Sequence, residues 1–180
     1  GGIEVDLSRQ LITNQVWSSL LDLAKHARVI PKLAELISGA KVNKSEGRSV
    51  THFNLRTRTR RDEKLWIRLT SFVEEKRSRK DILDVVNIGI GGSHLGSMTV
   101  SSALKVYSDG PNVHYVSNID PSLISDVLHK CTPTKTIFIL NSKSFTTAEV
   151  LKNANLARNW LRNSSQPAES VIYAVTASRE

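Results

Sequence analysis

Apolar residues follow two different rhythms along this chain. Over the first eighty residues they recur at helical spacing. Val16, Leu20, Leu23 and Ala24 share one face of a helix predicted over 14–25, with Asn14 as its cap. A second helix is predicted from about Pro31 to Ile37, stopped by Gly39. Residues 40–60 show no helical period; Glu46 and Arg48 read there as ion-paired or exposed, and His52 as a structural hydrogen-bonding residue. Asp62 then stands as the cap of a helix with Leu65, Ile67, Leu69, Phe72 and Val73 on its apolar side. This first part reads as packing.

From residue 81 short apolar runs alternate with helical patterns. Strands are predicted over Val85 to Ile90, Val113 to Val116, Thr136 to Leu140 and Val171 to Val175. Between them lie helices over about Leu95 to Val106, from Asp120-Pro121 with Leu123, Ile124, Val127 and Leu128 on its face, and from Thr146 to about Leu161. Thr146-x-x-Glu149 has the form of a capping box for the last of these. The β-α-β-α-β-α-β order implies a parallel sheet covered by helices, with ligands expected at the carboxyl ends of its strands.

The first of those ends is Asn87-Ile-Gly-Ile-Gly-Gly-Ser-His-Leu-Gly96. A strand that turns through glycines into a helix gathers free backbone N–H groups and the positive helix end at one point, which suits an anion and above all a phosphate. Two nucleotide motifs fail. His94 stands where the dinucleotide fingerprint needs its third glycine, and Ser97-Met98 stands where a Walker A loop needs Lys and Ser/Thr. The loop by itself also leaves open the reading of a tight turn without a ligand. The third strand ends in Asn141-Ser-Lys-Ser-Phe-Thr-Thr147, four hydroxyls and one ammonium group directly before a helix. Hydroxyls donate to phosphate oxygens and Lys143 supplies charge. A lone cluster of this kind would read as a helix cap with turn residues. Two such loops in one sheet favour a phosphate clamp made by Gly92-Ser93 and Ser142 to Thr147.

Composition narrows the class. The 180 residues, 39% of them apolar, suffice for one ordinary domain and its core. A single cysteine, Cys131, excludes an intramolecular disulfide framework and a cysteine metal cluster, and suits a reducing compartment. No secretory leader opens the sequence and no apolar run could span a membrane, so a soluble, cytoplasmic protein is expected. Twenty-five Lys and Arg against 17 Asp and Glu give a net charge of +8, concentrated in Arg56 to Arg61 and Lys76 to Lys80. No aromatic residues interleave with these cations and no nucleic-acid reader motif follows. A solvated surface or attraction for anionic metabolites is the better reading, and nucleic acid is not expected as a partner.

With those residues in place, Asn87 to Gly96, Val116-Ser-Asn-Ile-Asp120 and Asn141 to Glu149 together closely resemble the glucose-6-phosphate isomerase family. Lys41 to Arg56 and the Asn153-to-Trp160 part of the last helix extend the resemblance over most of residues 4 to 176. It implies a flavodoxin-like sugar-isomerase (SIS) domain over 81–180, incomplete at its C-terminal end, after a helical N-terminal segment over 1–80. Carried over by residue, the family's sugar-phosphate contacts fall on Gly92, Ser93, Ser142, Lys143, Ser144, Phe145, Thr146 and Thr147. His94 departs from the Asp of many members, and Ser144 from their Thr. The resemblance further implies interconversion of glucose 6-phosphate and fructose 6-phosphate in glycolysis and gluconeogenesis, without metal or cofactor, by a homodimeric enzyme much longer than this chain. The family's catalytic glutamate, histidine, lysine and arginine motifs have no match here, so no catalytic residue is assigned; Glu149 reads as consumed by its cap, and His94 and His114 have no assigned role. The alternative is a stand-alone sugar-phosphate-binding module of the same fold.

Overall fold

The computed structural model describes residues 2–45, 47–56 and 63–177, which fall into two compact units, Gly1–Ile67 and Arg68–Glu180. Glu46, the predicted cap Asp62 and the Thr57-to-Arg61 part of the first basic run lie outside the described residues.

The first unit is helical. α1 (Asn14–His26) begins one residue beyond its real cap, Thr13, whose hydroxyl accepts from the Val16 N–H at 3.2 Å. The expected cap Asn14 is instead the first helical residue. α2 (Val29–Ile37) starts two residues earlier than predicted, immediately after Arg28, whose φ of 55° turns the chain sharply out of α1. It ends at Gly39 as expected: the Gly39 N–H returns to the Leu36 carbonyl and the Ala40 N–H to that of Glu35, closing a Schellman cap. The stretch without a helical period holds one short helix, α3 (His52–Arg56), too brief for periodicity to reveal. His52 stacks on Phe53 there, ring centroids 4.1 Å apart. α4 (Glu63–Ser78) carries the chain across the boundary between the units.

The second unit is built on four parallel strands: β1 (Asp84–Ile88), β2 (Asn112–Val116), β3 (Thr136–Asn141) and β4 (Ile172–Val175). Their order is β2-β1-β3-β4, the doubly wound flavodoxin-like arrangement. Register places Asn87, Tyr115, Ile139 and Tyr173 in one row across the sheet, with Val86, His114 and Phe138 in a row on the other face. Helices cover both faces. α6 (Pro121–Lys130) buries Ile124 and Val127, and α7 (Ala148–Asn163) buries Val150, Asn153, Ala154, Ala157 and Leu161 at helical spacing. These meet Val86, Ile88, Val116 and Phe138, all fully buried, and Trp160 packs edge-on to Phe138. On the opposite face Tyr115 bonds to Ser101 of α5 (Leu95–Ala103) at 2.7 Å, and Tyr173 packs edge-on to Phe72 of α4.

Several boundaries differ from expectation. β1 stops at Ile88, because Gly89 and Ile90 already belong to the turn. α5 stops at Ala103 and tightens into a 3-10 turn over Lys105–Tyr107. β4 begins at Ile172, after a 3-10 turn over Ala168–Ser170. The helices expected to be packing elements are also more open than their patterns suggest, since no residue of α1, α2, α4 or α5 is buried. The second basic run is largely neutralised locally: Lys76 pairs with Glu75, Arg77 with Asp109 and Arg79 with Asp81, each at 2.6 Å. No described helix is long and apolar enough to cross a membrane.

Candidate functional site

Strand order decides where a ligand can sit. β1 and β3 are neighbours at the centre of the sheet, but their connections leave toward opposite faces, so a crevice opens outside their carboxyl ends. Both glycine- and hydroxyl-rich loops leave from those two ends. The sequence thus brings all eight candidate residues to the switch point of the sheet.

Polar groups of the strand ends stitch the loops together. The Asn141 side-chain amide donates to the Ser93 carbonyl at 2.9 Å, and that of Asn87 reaches the same oxygen at 3.4 Å. Gly89 is required by this approach. A Cβ there would lie 2.7 Å from the Ser93 carbonyl oxygen and 3.0 Å from that of Asn141. Gly91 takes φ of 57° to start the 3-10 turn Gly91–Ser93. Gly92 is different: it is exposed and a Cβ would meet nothing within 4 Å.

The second loop is ordered by its own hydroxyls. Buried Ser142 accepts the Phe145 N–H at 3.2 Å and lies 3.5 Å from the Thr147 hydroxyl. Ser144 and Thr146 pair at 2.7 Å. Phe145 is held at φ of 57°, an uncommon state for an aromatic residue, with its ring against the core. The end of β4 braces the loop from the far side: Ser142 N–H bonds to the Val175 carbonyl, and Ala177 N–H and the Thr176 hydroxyl both bond to that of Lys143. The Lys143 backbone is fixed while its side chain is exposed.

Both helices that start here lack side-chain caps. α5 begins from His94 and α7 from Thr147, neither bonding back to a first-turn N–H, whereas Thr13 and Asp120 do so in α1 and α6. The expected Thr146–Glu149 capping box is therefore not formed. Ser144 engages the Thr146 hydroxyl, the helix starts one residue later, and Glu149 sits in its first turn. Uncapped N–H groups at two helix starts, four hydroxyls and an ammonium group give an electropositive, donor-rich cradle.

His94 is turned into the fold. It is buried, packs edge-on to Tyr115 at 5.4 Å, and its Nδ1 has no partner among the described residues. His114 belongs elsewhere, in the body of β2 and bonded to Asp84 at the amino end of β1. Asn87 and Asn141 were not singled out by sequence reasoning, although an Asn in an otherwise apolar strand is the signal that marks them. Two cavities lie away from this crevice, one of about 540 Å³ between α6 and α7 and another of about 380 Å³ where the strands begin.

Strand order and loop placement define a doubly wound α/β domain with an anion-suited crevice at its switch point. Comparison with known proteins specifies it further. The phosphoglucose isomerase family model matches residues 6–179, and the chain belongs to that family. It is 41% identical over 201 aligned residues to glucose-6-phosphate isomerase 1 of Colwellia psychrerythraea, covering 98% of this chain and 36% of that protein. It is 38% identical over 186 residues to glucose-6-phosphate isomerase of Candida glabrata, covering 93% and 34%. The crystal structure of a glucose-6-phosphate isomerase from Chlamydia trachomatis superposes with a TM-score of 0.70 at 27% identity, over 92% of this chain and 35% of that one. The chain thus spans about a third of the length of the relatives it matches.

Proposed function

We propose that this chain is the sugar-phosphate-holding part of a glucose-6-phosphate isomerase, and that its switch-point crevice receives the phosphate of glucose 6-phosphate and fructose 6-phosphate. The observation that carries this reading is the joining of the two loops through Asn141 and Ser93, within a chain of this family. In this reading the hydroxyls of Ser142, Ser144, Thr146 and Thr147 turn from each other to the phosphate oxygens. The backbone at Gly92, Ser93 and Phe145 completes the cradle, and Lys143 balances the charge. Open space above Gly92 supports close approach of a ligand to the main chain there.

Aldose–ketose isomerisation moves a proton between adjacent carbons and needs a base positioned at them. We assign no residue of this chain to that step; the base belongs to the remaining two thirds of the enzyme. The functional division falls near residue 80, a helical segment before and the phosphate-binding domain after. The parent enzyme in this reading is a cytoplasmic homodimer whose chemistry uses neither metal nor organic cofactor.

Calorimetric titration of the chain with fructose 6-phosphate tests the assignment, beside Lys143→Ala. Saturable one-to-one binding that the substitution abolishes is expected, with no isomerase turnover. A folded chain that fails to bind would sink the claim that these loops suffice. Turnover by the chain alone would overturn the division of labour.

A further inference from the structure

Away from the crevice, the face of the sheet under α6 carries a second cluster that the isomerase reading does not use. Asp84 opens β1, His114 lies on β2 in the same face, and Cys131 follows the last turn of α6. One ligating atom from each lies within 4.8 Å of the other two. Asp84 is buried, and the Nε2 of His114 lies 2.9 Å from its Oδ1, to which the Asn112 amide also donates at 3.3 Å. No described residue donates to the second carboxylate oxygen.

We propose that Asp84, His114 and Cys131 form a binding site for a thiophilic divalent cation of the zinc class. A histidine–carboxylate pair is complete by itself and does not need the thiol set beside its carboxylate. A cation at the centre of the three gives each a purpose. Sulfur, imidazole nitrogen and one carboxylate oxygen suit Zn²⁺, whereas Mg²⁺ and Ca²⁺ take oxygen ligands. Bond lengths of ~2.0–2.3 Å are reached from the present separations by shifts of less than about 1 Å. Three protein ligands leave a fourth position for water. The Asn112 amide orients the carboxylate, as outer hydrogen-bond partners of metal ligands do. The bound state holds His114 as neutral imidazole with its proton on Nδ1, and Cys131 as thiolate, the thiol proton passing to solvent. Burial, and next the Asp84 carboxylate, push the thiol up to about 11 in the metal-free protein. A cation between the two groups reverses the second cause.

Cobalt(II) is the probe, because the chain has a single cysteine and thiolate-to-cobalt charge transfer can come only from Cys131. Titrated into the 180-residue chain under a non-chelating phosphine reductant, Co²⁺ should raise a near-ultraviolet charge-transfer band and intense visible bands. Both should saturate at one equivalent and bleach with one equivalent of Zn²⁺. Cys131→Ser should remove the charge-transfer band. His114→Gln and Asp84→Asn should each weaken binding by about tenfold or more, at least the cost of losing an outer partner. Circular dichroism verifies that each variant is folded. The proposal is wrong if the folded chain gives no sulfur band, or if affinity survives unchanged in both His114→Gln and Asp84→Asn. A stoichiometry of one metal to two chains would also overturn it, pointing to a bridged pair. None of these outcomes touches the sugar-phosphate reading.

Discussion

At the scale of single residues, Gly89 and Gly92 separate what the fold needs from what the proposed phosphate site needs. Gly89 has no room for a Cβ, since backbone oxygens of Ser93 and Asn141 stand at 2.7 and 3.0 Å. Gly89→Ala should therefore destabilise the domain by roughly 1–3 kcal/mol, the usual range for overpacking, read as a shifted urea midpoint. Gly92 has open space, so Gly92→Ala should move stability by less than about 0.5 kcal/mol. The same change should weaken fructose 6-phosphate binding about tenfold, on the order of one charge-assisted hydrogen bond. Equal stability losses in the two variants would remove the distinction; unchanged binding in Gly92→Ala would remove that glycine from the site. The loop glycines were legible in the sequence as a group, but their different surroundings were not. Which one faces backbone and which faces solvent depends on Asn141, about fifty positions away in the chain, meeting Ser93. The pairing of Ser144 with Thr146 was hidden for a related reason: Thr146 matched a capping box in spacing, yet a nearer hydroxyl claimed its side chain.

At the scale of elements, the parallel strands and their helices were readable because the central strands β1 and β3 are largely buried and all four strands are short apolar runs with turn residues between them. Helix ends were less so. Thr13 and Asn14 are both good capping types, and only geometry chooses Thr13. α6 is the clear case, with Asp120 accepting the Ser122 N–H at 2.9 Å and Pro121 in the first turn. That N–H holds the Asp120 carboxyl below the ordinary carboxylate range. A depressed folded value means a stabilising contribution that is complete above the unfolded value of ~3.9 and lost as pH falls through the folded one. Asn caps a helix as well as Asp but does not titrate. Asp120→Asn should thus match the parent chain near neutrality and lose less stability below about pH 3. Urea midpoints at the two pH values check this, and identical acid shifts in both proteins would show that the cap carries no pH dependence.

At the scale of the whole molecule, two features oppose each other. Apolar side chains that the sequence pattern assigns to packing stand open: Leu23 is 63% exposed, Ile67 62% and Leu65 60%. Where open apolar side chains gather into contiguous patches they mark an interface or a liability. The relatives are about three times as long as this chain, and the same helices in a longer chain have more protein to meet. Periodicity announced the apolar faces of α1 and α4 but not how far they stand open. Against association stands a net charge of +8, which makes identical chains repel. Repulsion between surface charges is screened over ~10 Å at 0.1 M salt and ~3 Å at 1 M, whereas apolar attraction is not weakened by salt in this way. Sedimentation of the purified chain should therefore find it mainly monomeric at low ionic strength and increasingly associated as sodium chloride is raised at fixed protein concentration. Leu20→Lys with Leu23→Lys, which place charge on the open face of α1, should shift that transition to higher salt. A chain that stays monomeric throughout would mean that the open faces do not adhere to one another. Association that salt dissolves would mean that ion pairs, rather than apolar faces, hold the copies together.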